Sequence, residues 1–214
     1  MIRLTHISDT HGNFPKIAVP DAMGDIIIHS GDMMPNRTRG IISEEMMYQK
    51  LWMMQNISGL KRWIGSREFV YIPGNHDYFD PIPMMLEVGI KAHDITDCEK
   101  TIQGIRMYGF PHIPYIIGEW NYETPTEEMI KKVNTIPNKG IDILVAHCPP
   151  AGILSDFHGD KGGNTSLANW LAYNCLELPR FLMCGHFHGH HGISYYEPGM
   201  IISNAATTIH NFEY

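Results

Sequence analysis

Cysteine is sparse in this 214-residue sequence, and no two cysteines stand in a C-x-x-C spacing. Cys98, Cys148, Cys175 and Cys184 therefore spell neither a zinc knuckle nor a redox dithiol. In a reducing compartment such thiols serve as small buried hydrophobes. Long apolar runs are missing too: no stretch approaches the roughly 18 uninterrupted apolar residues of a membrane span, so no membrane partner is expected. Positive charge is in deficit. Lys and Arg number 16 against 23 Asp and Glu, for a formal net charge of −7, which argues against capture of long nucleic acid. No repeat, low-complexity tract or Pro/Ser linker divides the chain, and its length suits a single domain over residues 1–214. The opening residues lack the apolar run and cleavage site of a signal peptide, so a cytoplasmic location is expected. Oligomeric state is not written in the sequence.

Apolar residues make up 43% of the chain and charged residues 18%, enough for a substantial core. Short β-rich runs alternate with helix-like segments, which predicts a layered α/β fold. The runs are 2–8, 25–30, 68–72, 141–146 and 181–184, with weaker ones at 105–109, 192–196 and 200–203. Continuous apolar triplets such as Ile26-Ile27-Ile28 and Ile143-Leu144-Val145 predict strands covered on both faces. The clearest helix spans about 44–64, with Ser43 as its cap, Glu44 and Glu45 at the positive end of the dipole and Lys61 and Arg62 at the negative end. Met47, Leu51, Met54, Ile57 and Ile64 follow the 3.6-residue period, so this Met-rich stripe is expected to be the buried face. Further helices are expected at 126–134 and 165–174.

The chemistry is concentrated where five of these runs end. The first gives way to Asp9-Thr10-His11-Gly12, the second to Gly31-Asp32, the third to Gly74-Asn75-His76-Asp77. The fourth runs into His147-Cys148-Pro149-Pro150, and the fifth into Gly185-His186-Phe187-His188-Gly189. Ligands of open α/β sheets bind beyond the carboxyl ends of the strands, where side chains distant in sequence converge. All five exits carry Asp, Asn or His, donors suited to divalent metals. In Asp9-Thr10-His11 and His186-Phe187-His188 the donors are two apart, so an extended backbone points both to one side. The candidates Asp9, His11, Asp32, Asn75, His147, His186 and His188 are too many for one metal and suit two, with Asp32 as the natural bridge. An N/O set of this kind favours Mn, Fe, Zn or Mg, manganese first, over copper or a thiolate zinc.

The ordered set Asp-x-His, Gly-Asp, Gly-Asn-His-Asp, a lone His after a strand, and Gly-His-x-His resembles the calcineurin-like metallophosphoesterase superfamily. The resemblance runs from Asp9 to His188 and, with the flanking strands, over nearly the whole chain. It implies a four-layer α/β/β/α sandwich of two mixed β-sheets flanked by helices, with a two-metal site at one edge. It further implies that Asp9, His11, Asp32 and His188 hold one metal, that Asp32, Asn75, His147 and His186 hold the other, and that His76 is a non-ligand histidine contacting the scissile phosphate. Tyr108-Gly109-Phe110-Pro111, Trp120-Asn121, the 147–156 segment, Gly163-Asn164-Thr165-Ser166-Leu167 and Ser203-Asn204-Ala205-Ala206 are similar to the small MPPED-type branch. That closer likeness implies a phosphodiesterase acting on small diesters such as cyclic nucleotides, with a water activated between the two cations as nucleophile. Two positions depart from the pattern. Pro35 stands where many members carry an Asp that orients the catalytic His, and Gly163-Asn164 replaces the branch's usual Gly-Cys.

Rival functions are a phosphomonoesterase or phosphoprotein phosphatase with the same metals, a non-catalytic binding module on the same scaffold and, third, a nuclease. Among the remaining candidates, His6 and His29 are expected to be satisfied core residues, and His190 and His191 to face solvent. Asp77 is expected to support the turn. His112 is a possible substrate contact that is not assigned, Arg37 and Arg39 are expected in a solvated loop, and 160–163 is a candidate substrate loop.

Overall fold

A computed structural model describes residues 1–14, 23–37, 41–157, 160–196 and 198–214. In chain order its first half holds β1 (Arg3–Ile7), β2 (Ile26–His29), α1 (Ile42–Ile64), β3 (Glu68–Tyr71), α2 (Ile82–Glu87), β4 (Lys91–Asp94), β5 (Glu99–Ile102) and β6 (Ile105–Phe110). Then follow β7 (Ile113–Pro114), β8 (Glu123–Thr124), α3 (Thr126–Val133), β9 (Ile143–Ala146), β10 (Asp156–Phe157) and β11 (Asp160–Lys161). The chain closes with α4 (Thr165–Asn169), which runs on as a π-helical turn over Trp170–Asn174, and with β12 (Phe181–Cys184), β13 (Gly192–Tyr196), β14 (Met200–Asn204) and β15 (Ile209–Glu213).

Two mixed sheets result. One has the order β15-β1-β2-β3-β4, parallel except for β15 on its edge. The other has the order β13-β14-β12-β9-β6-β5, with parallel inner strands and antiparallel edges. Side chains alternate across each strand, and the alternation builds three cores between four layers. Ile26 and Ile28 meet Ile143, Val145, Phe181 and Met183 between the sheets. Ile27 and Phe69 face α1 through Met53, Leu60 and Trp63. Leu144 and Leu182 face α3 and α4 through Met129, Val133 and Trp170. This is the expected sandwich, and no helix among the described residues is long and apolar enough to cross a membrane.

One expectation is overturned. Helix α1 starts at Ile42, with Ser43 inside its first turn and no side-chain cap at Ile41. Its buried face is Glu45, Gln49, Met53, Ile57, Leu60, Trp63 and Ile64, whereas Met47, Leu51 and Met54 are 66%, 49% and 57% exposed. The helix is rotated because Glu45 and Gln49 are needed inside, where they bind loop backbone. Both Glu45 oxygens accept the Arg37 N–H, at 3.0 and 3.2 Å. Edge strands β4, β5 and β15 also escaped the sequence reading, since each offers little apolar surface to the core.

Candidate metal centre

Each predicted site residue lies just beyond the carboxyl end of a parallel strand. Asp9 and His11 follow β1, Asp32 follows β2, Asn75 and His76 follow β3, His147 follows β9, and His186 and His188 follow β12. The first three strands belong to one sheet and the last two to the other, so the cluster straddles the sandwich edge. All eight residues meet there. Asp9, His11 and His188 offer donor atoms within 4.8 Å of one another, as do Asp32, His147 and His186, and each set can hold a metal ion. Asp32 lies between the sets, its Oδ2 at 3.5 Å from His147 Nε2 and 4.0 Å from both His11 Nε2 and His76 Nε2. Asn75 Oδ1 stands 3.0 Å from His147 Nε2.

Backbone conformation explains why these residues sit on such tight exits. Asp9, His11, Asp32 and His186 all have positive φ, at 53°, 42°, 56° and 68°. For residues with a Cβ that costs roughly 1–3 kcal/mol each and persists where surrounding contacts over-determine it. Those contacts are visible: Asp9 Oδ2 accepts the His186 N–H at 2.9 Å, and Asp32 Oδ1 accepts the His76 N–H at 2.8 Å. Gly74 is required for the approach, because a Cβ there would collide with the Asp32 carboxylate and backbone.

The donor set fits divalent cations. Asp9 and Asp32 are buried, and their side chains face histidines and backbone N–H groups. His147 Nδ1 donates to the Ser30 carbonyl at 2.8 Å, the usual way of turning the other ring nitrogen toward a metal. Burial opposes a charge on His147, but Asp32, by charge and hydrogen bond, and Asp9 outweigh it and push its pKa up to about 9. Burial would likewise raise Asp32, yet His147, His76 and His11 hold its carboxyl far below the ordinary range. His186, buried and beside His147, is pulled down to about 4 and stays a neutral donor. The buried His11 Nδ1 has no hydrogen-bond partner.

His76 belongs to the cluster but not to either triad. Its ring stands 4.5 Å from that of Trp120. Asn36 Nδ2 donates to His76 Nδ1 at 2.7 Å, which makes Nε2 the protonated nitrogen on the side facing Asp32. Asn36, the residue after Pro35, is thus the one whose side chain holds the His76 ring. Burial lowers the His76 pKa against the pull of Asp32, so the ring is a neutral N–H donor near neutral pH.

Of the supporting residues, Gln49 had no sequence signal, whereas Asn121 stands in the Trp120-Asn121 pair of the resemblance. Gln49 Nε2 donates to the His76 carbonyl at 2.7 Å, and its Oε1 accepts the N–H groups of Tyr78 and Phe79 at 2.8 and 3.1 Å. Asn121 donates its backbone N–H to the Asn75 carbonyl at 3.1 Å and its amide to the Asp77 carbonyl at 2.6 Å. Asp77 supports the turn as expected: it accepts the N–H groups of Met33, Met34 and Gly74. Burial and the charge of Asp32 raise its pKa to about 6. His6 bridges Ser203 and Ser30, and His29 meets Thr10 Oγ1, both as satisfied core residues. His112 is engaged by Thr124 and Asp97, Arg37 packs over Tyr48, and Arg39 lies outside the described residues.

Beside the cluster opens a cavity of about 490 Å³, walled by Ile116, Trp120 and Phe187 and closed by Asn75, His76, Gly162 and His186. Among the described residues, no lysine or arginine lines it.

The chain is similar to metallophosphoesterase domain-containing protein 1 of Homo sapiens and of Mus musculus, 27% identical over 89% of this chain in both cases. It spans 62% of the length of those relatives. A UPF0046 protein of Caenorhabditis elegans is 26% identical over 98% of this chain and 69% of its own length. A solved structure 16% identical in sequence superimposes with a TM-score of 0.63, over 96% of this chain and 91% of the other, and so shares the fold. The calcineurin-like phosphoesterase profile matches residues 2–190, and the chain belongs to that family.

Proposed function

We propose that the protein is a two-metal phosphoesterase that hydrolyses small phosphodiesters, cyclic nucleotides among them. The observation that carries this reading is the pair of donor triads joined at Asp32. In it Asp9, His11, Asp32 and His188 hold one cation and Asp32, Asn75, His147 and His186 the other, with manganese the favoured metal. When bound, the cations supply Lewis-acid polarisation of the phosphoryl group and of a water.

The chain's own residues do the rest. His76, held by Asn36 with Nε2 protonated, donates a hydrogen bond to a phosphoryl oxygen or to the leaving oxygen; removing one such donor typically costs about 10²–10³-fold. Ile116, Trp120 and Phe187 receive the organic part of the ester. A diester carries a single negative charge and a second organic substituent, which suits an apolar wall with no Lys or Arg among the described lining residues. A monoester dianion gains no extra cation there. A cytoplasmic site of action suits the four free thiols.

The test is a rate comparison of bis-p-nitrophenyl phosphate with p-nitrophenyl phosphate on manganese-loaded protein, alongside metal analysis. The diester is expected to react with the higher kcat/KM. Preference for the monoester would replace this reading by that of a phosphomonoesterase, and inactivity of fully loaded protein on a broad ester panel would favour a binding module.

A further inference from the structure

Helix α1 carries two apolar faces, and only one of them is spent inside the chain. Met53, Ile57 and Leu60 pack inward beneath the first sheet, in line with the buried Glu45 and Gln49. The opposite side reads Glu44, Met47, Leu51, Met54, Ser58 and Lys61, and all six residues are exposed. An outer helix face is ordinarily charged or polar; here its three central positions are large and apolar. The six follow one another at steps of three and four. That is the spacing of the a and d positions of a heptad, the seam along which two helices interlock. Charge closes the seam at each end, and among the described residues neither Glu44 nor Lys61 is in an ion pair.

This order of residues is complementary to itself when reversed. Laid antiparallel on a second copy, Leu51 comes level with Met54, Met47 with Ser58 and Glu44 with Lys61. A two-fold axis between Leu51 and Met54 repeats each of these contacts, as an isologous interface requires. Apolar side chains then meet apolar or small ones, each terminal carboxylate meets an ammonium, and the two helix dipoles run opposed. A parallel pair would instead set Glu44 against Glu44 and Lys61 against Lys61. We infer that the protein forms a homodimer through the outward face of α1, the two helices antiparallel in this register. Burial of Met47, Leu51 and Met54 supplies the affinity, and the end charges fix the direction. One pair of 23-residue helices, each about 34 Å long, makes an interface at the small end of the specific range. The dissociation constant is therefore expected in the micromolar range, about 1–50 µM.

The experiment is sedimentation equilibrium of the metal-loaded chain between about 2 and 200 µM. The mass is expected to rise reversibly from 24.4 kDa toward twice that value. Leu51→Glu, which sets carboxylates beside the axis, is expected to weaken association by about tenfold or more. The site is exposed, and circular dichroism reports whether the fold is kept. Lys61→Glu and Glu44→Lys each replace two attractive pairs by two repulsive ones and are expected to weaken the dimer by about fivefold. Combined in one chain, the two reversals are expected to restore the parent constant to within about twofold, a recovery that mere damage to the helix would not produce. The proposal fails if the parent stays monomeric up to about 200 µM, which would leave this face to a partner of other chemistry. It fails equally if folded Leu51→Glu associates as the parent does, or if the doubly reversed chain is no tighter than the single variants.

Discussion

The side-chain amide of Gln49, in the middle of α1 and fully buried, donates to the backbone carbonyl of His76 at 2.7 Å. Its oxygen holds the next two accessible N–H groups, of Tyr78 and Phe79. A helix on the outer face of one sheet thus fixes the loop that presents the proposed hydrogen-bond donor, His76. Gln49→Ala leaves three part-buried backbone groups without these partners, at about 0.5–1.5 kcal/mol each before relaxation. The expected outcome is a lower unfolding midpoint together with a loss in kcat that exceeds the change in KM, at unchanged metal content. A variant with wild-type kcat would show that the loop keeps its course without the helix.

His76 itself separates metal binding from turnover. It lies outside both donor triads, so His76→Ala is expected to retain both cations by elemental analysis while losing about 10²–10³ in kcat. Asp32→Ala, by contrast, is expected to lose metal and turnover together. Full activity in His76→Ala would remove its assigned role.

Asn36 reaches His76 with an amide rather than a carboxylate. Asn36→Asp places a negative charge on Nδ1, which favours the imidazolium. The His76 pKa, lowered by burial in the parent, is expected to rise by about one unit or more in an NMR titration. No rise would mean that the residue at this position does not contact the ring in solution.

The cluster was legible because its donors are local signals. Asp9, Asp32, Asn75, His147 and His186 each stand within a few residues of an apolar run, and strand exits of a parallel sheet converge whatever the chain does between them. Gln49 and Asn36 were not legible. Gln49 is 27 residues from His76 in sequence and reaches it only because α1 is rotated to bury Glu45 and Gln49 instead of Met47, Leu51 and Met54. Periodicity gives the pitch of an apolar stripe; which arc faces the core is decided by the partners waiting there. Strands β4, β5 and β15 failed for the opposite reason, since an edge strand with one apolar position (β4, β5) or two that do not alternate (Ile209 and Phe212 of β15) presents no period-2 pattern to read.

Two glycines separate close approach from mere flexibility. A Cβ on Gly74 would strike the Asp32 carboxylate and backbone, whereas a Cβ on Gly59, within α1, meets nothing within 4 Å. Gly74→Ala is expected to lose metal affinity and stability, since one side of the loop must move. Gly59→Ala is expected to raise stability by about 0.5–1 kcal/mol through helix propensity alone. Urea unfolding of the two variants checks both signs.

Acid should destabilise the protein well before its carboxylates titrate. His6 and His29 are fully buried, and burial lowers both pKa values, that of His29 to about 3 and that of His6 well below its ordinary value. Unfolded, each titrates near about 6.5. Below that pH the unfolded chain binds protons that the folded chain refuses, so the stability contributed by these neutral rings is complete above pH ~6.5 and is lost as pH falls toward the folded pKa. His186, depressed to about 4, acts in the same direction in metal-free protein. His147, held up at about 9, and His188, also raised, act in the opposite sense above pH ~6.5, where the folded chain keeps protons that the unfolded chain has released, and so offset part of the drop. Each buried neutral histidine contributes about 1.4 kcal/mol per pH unit. Urea unfolding of metal-free protein at pH 7.5 and at pH 5.5 is therefore expected to show a marked drop. In His29→Asn, weaker at every pH for loss of the Thr10 contact, the dependence on pH should be shallower by one histidine's share. An unchanged slope in that variant would mean that His29 is hydrated in solution rather than sealed in the core.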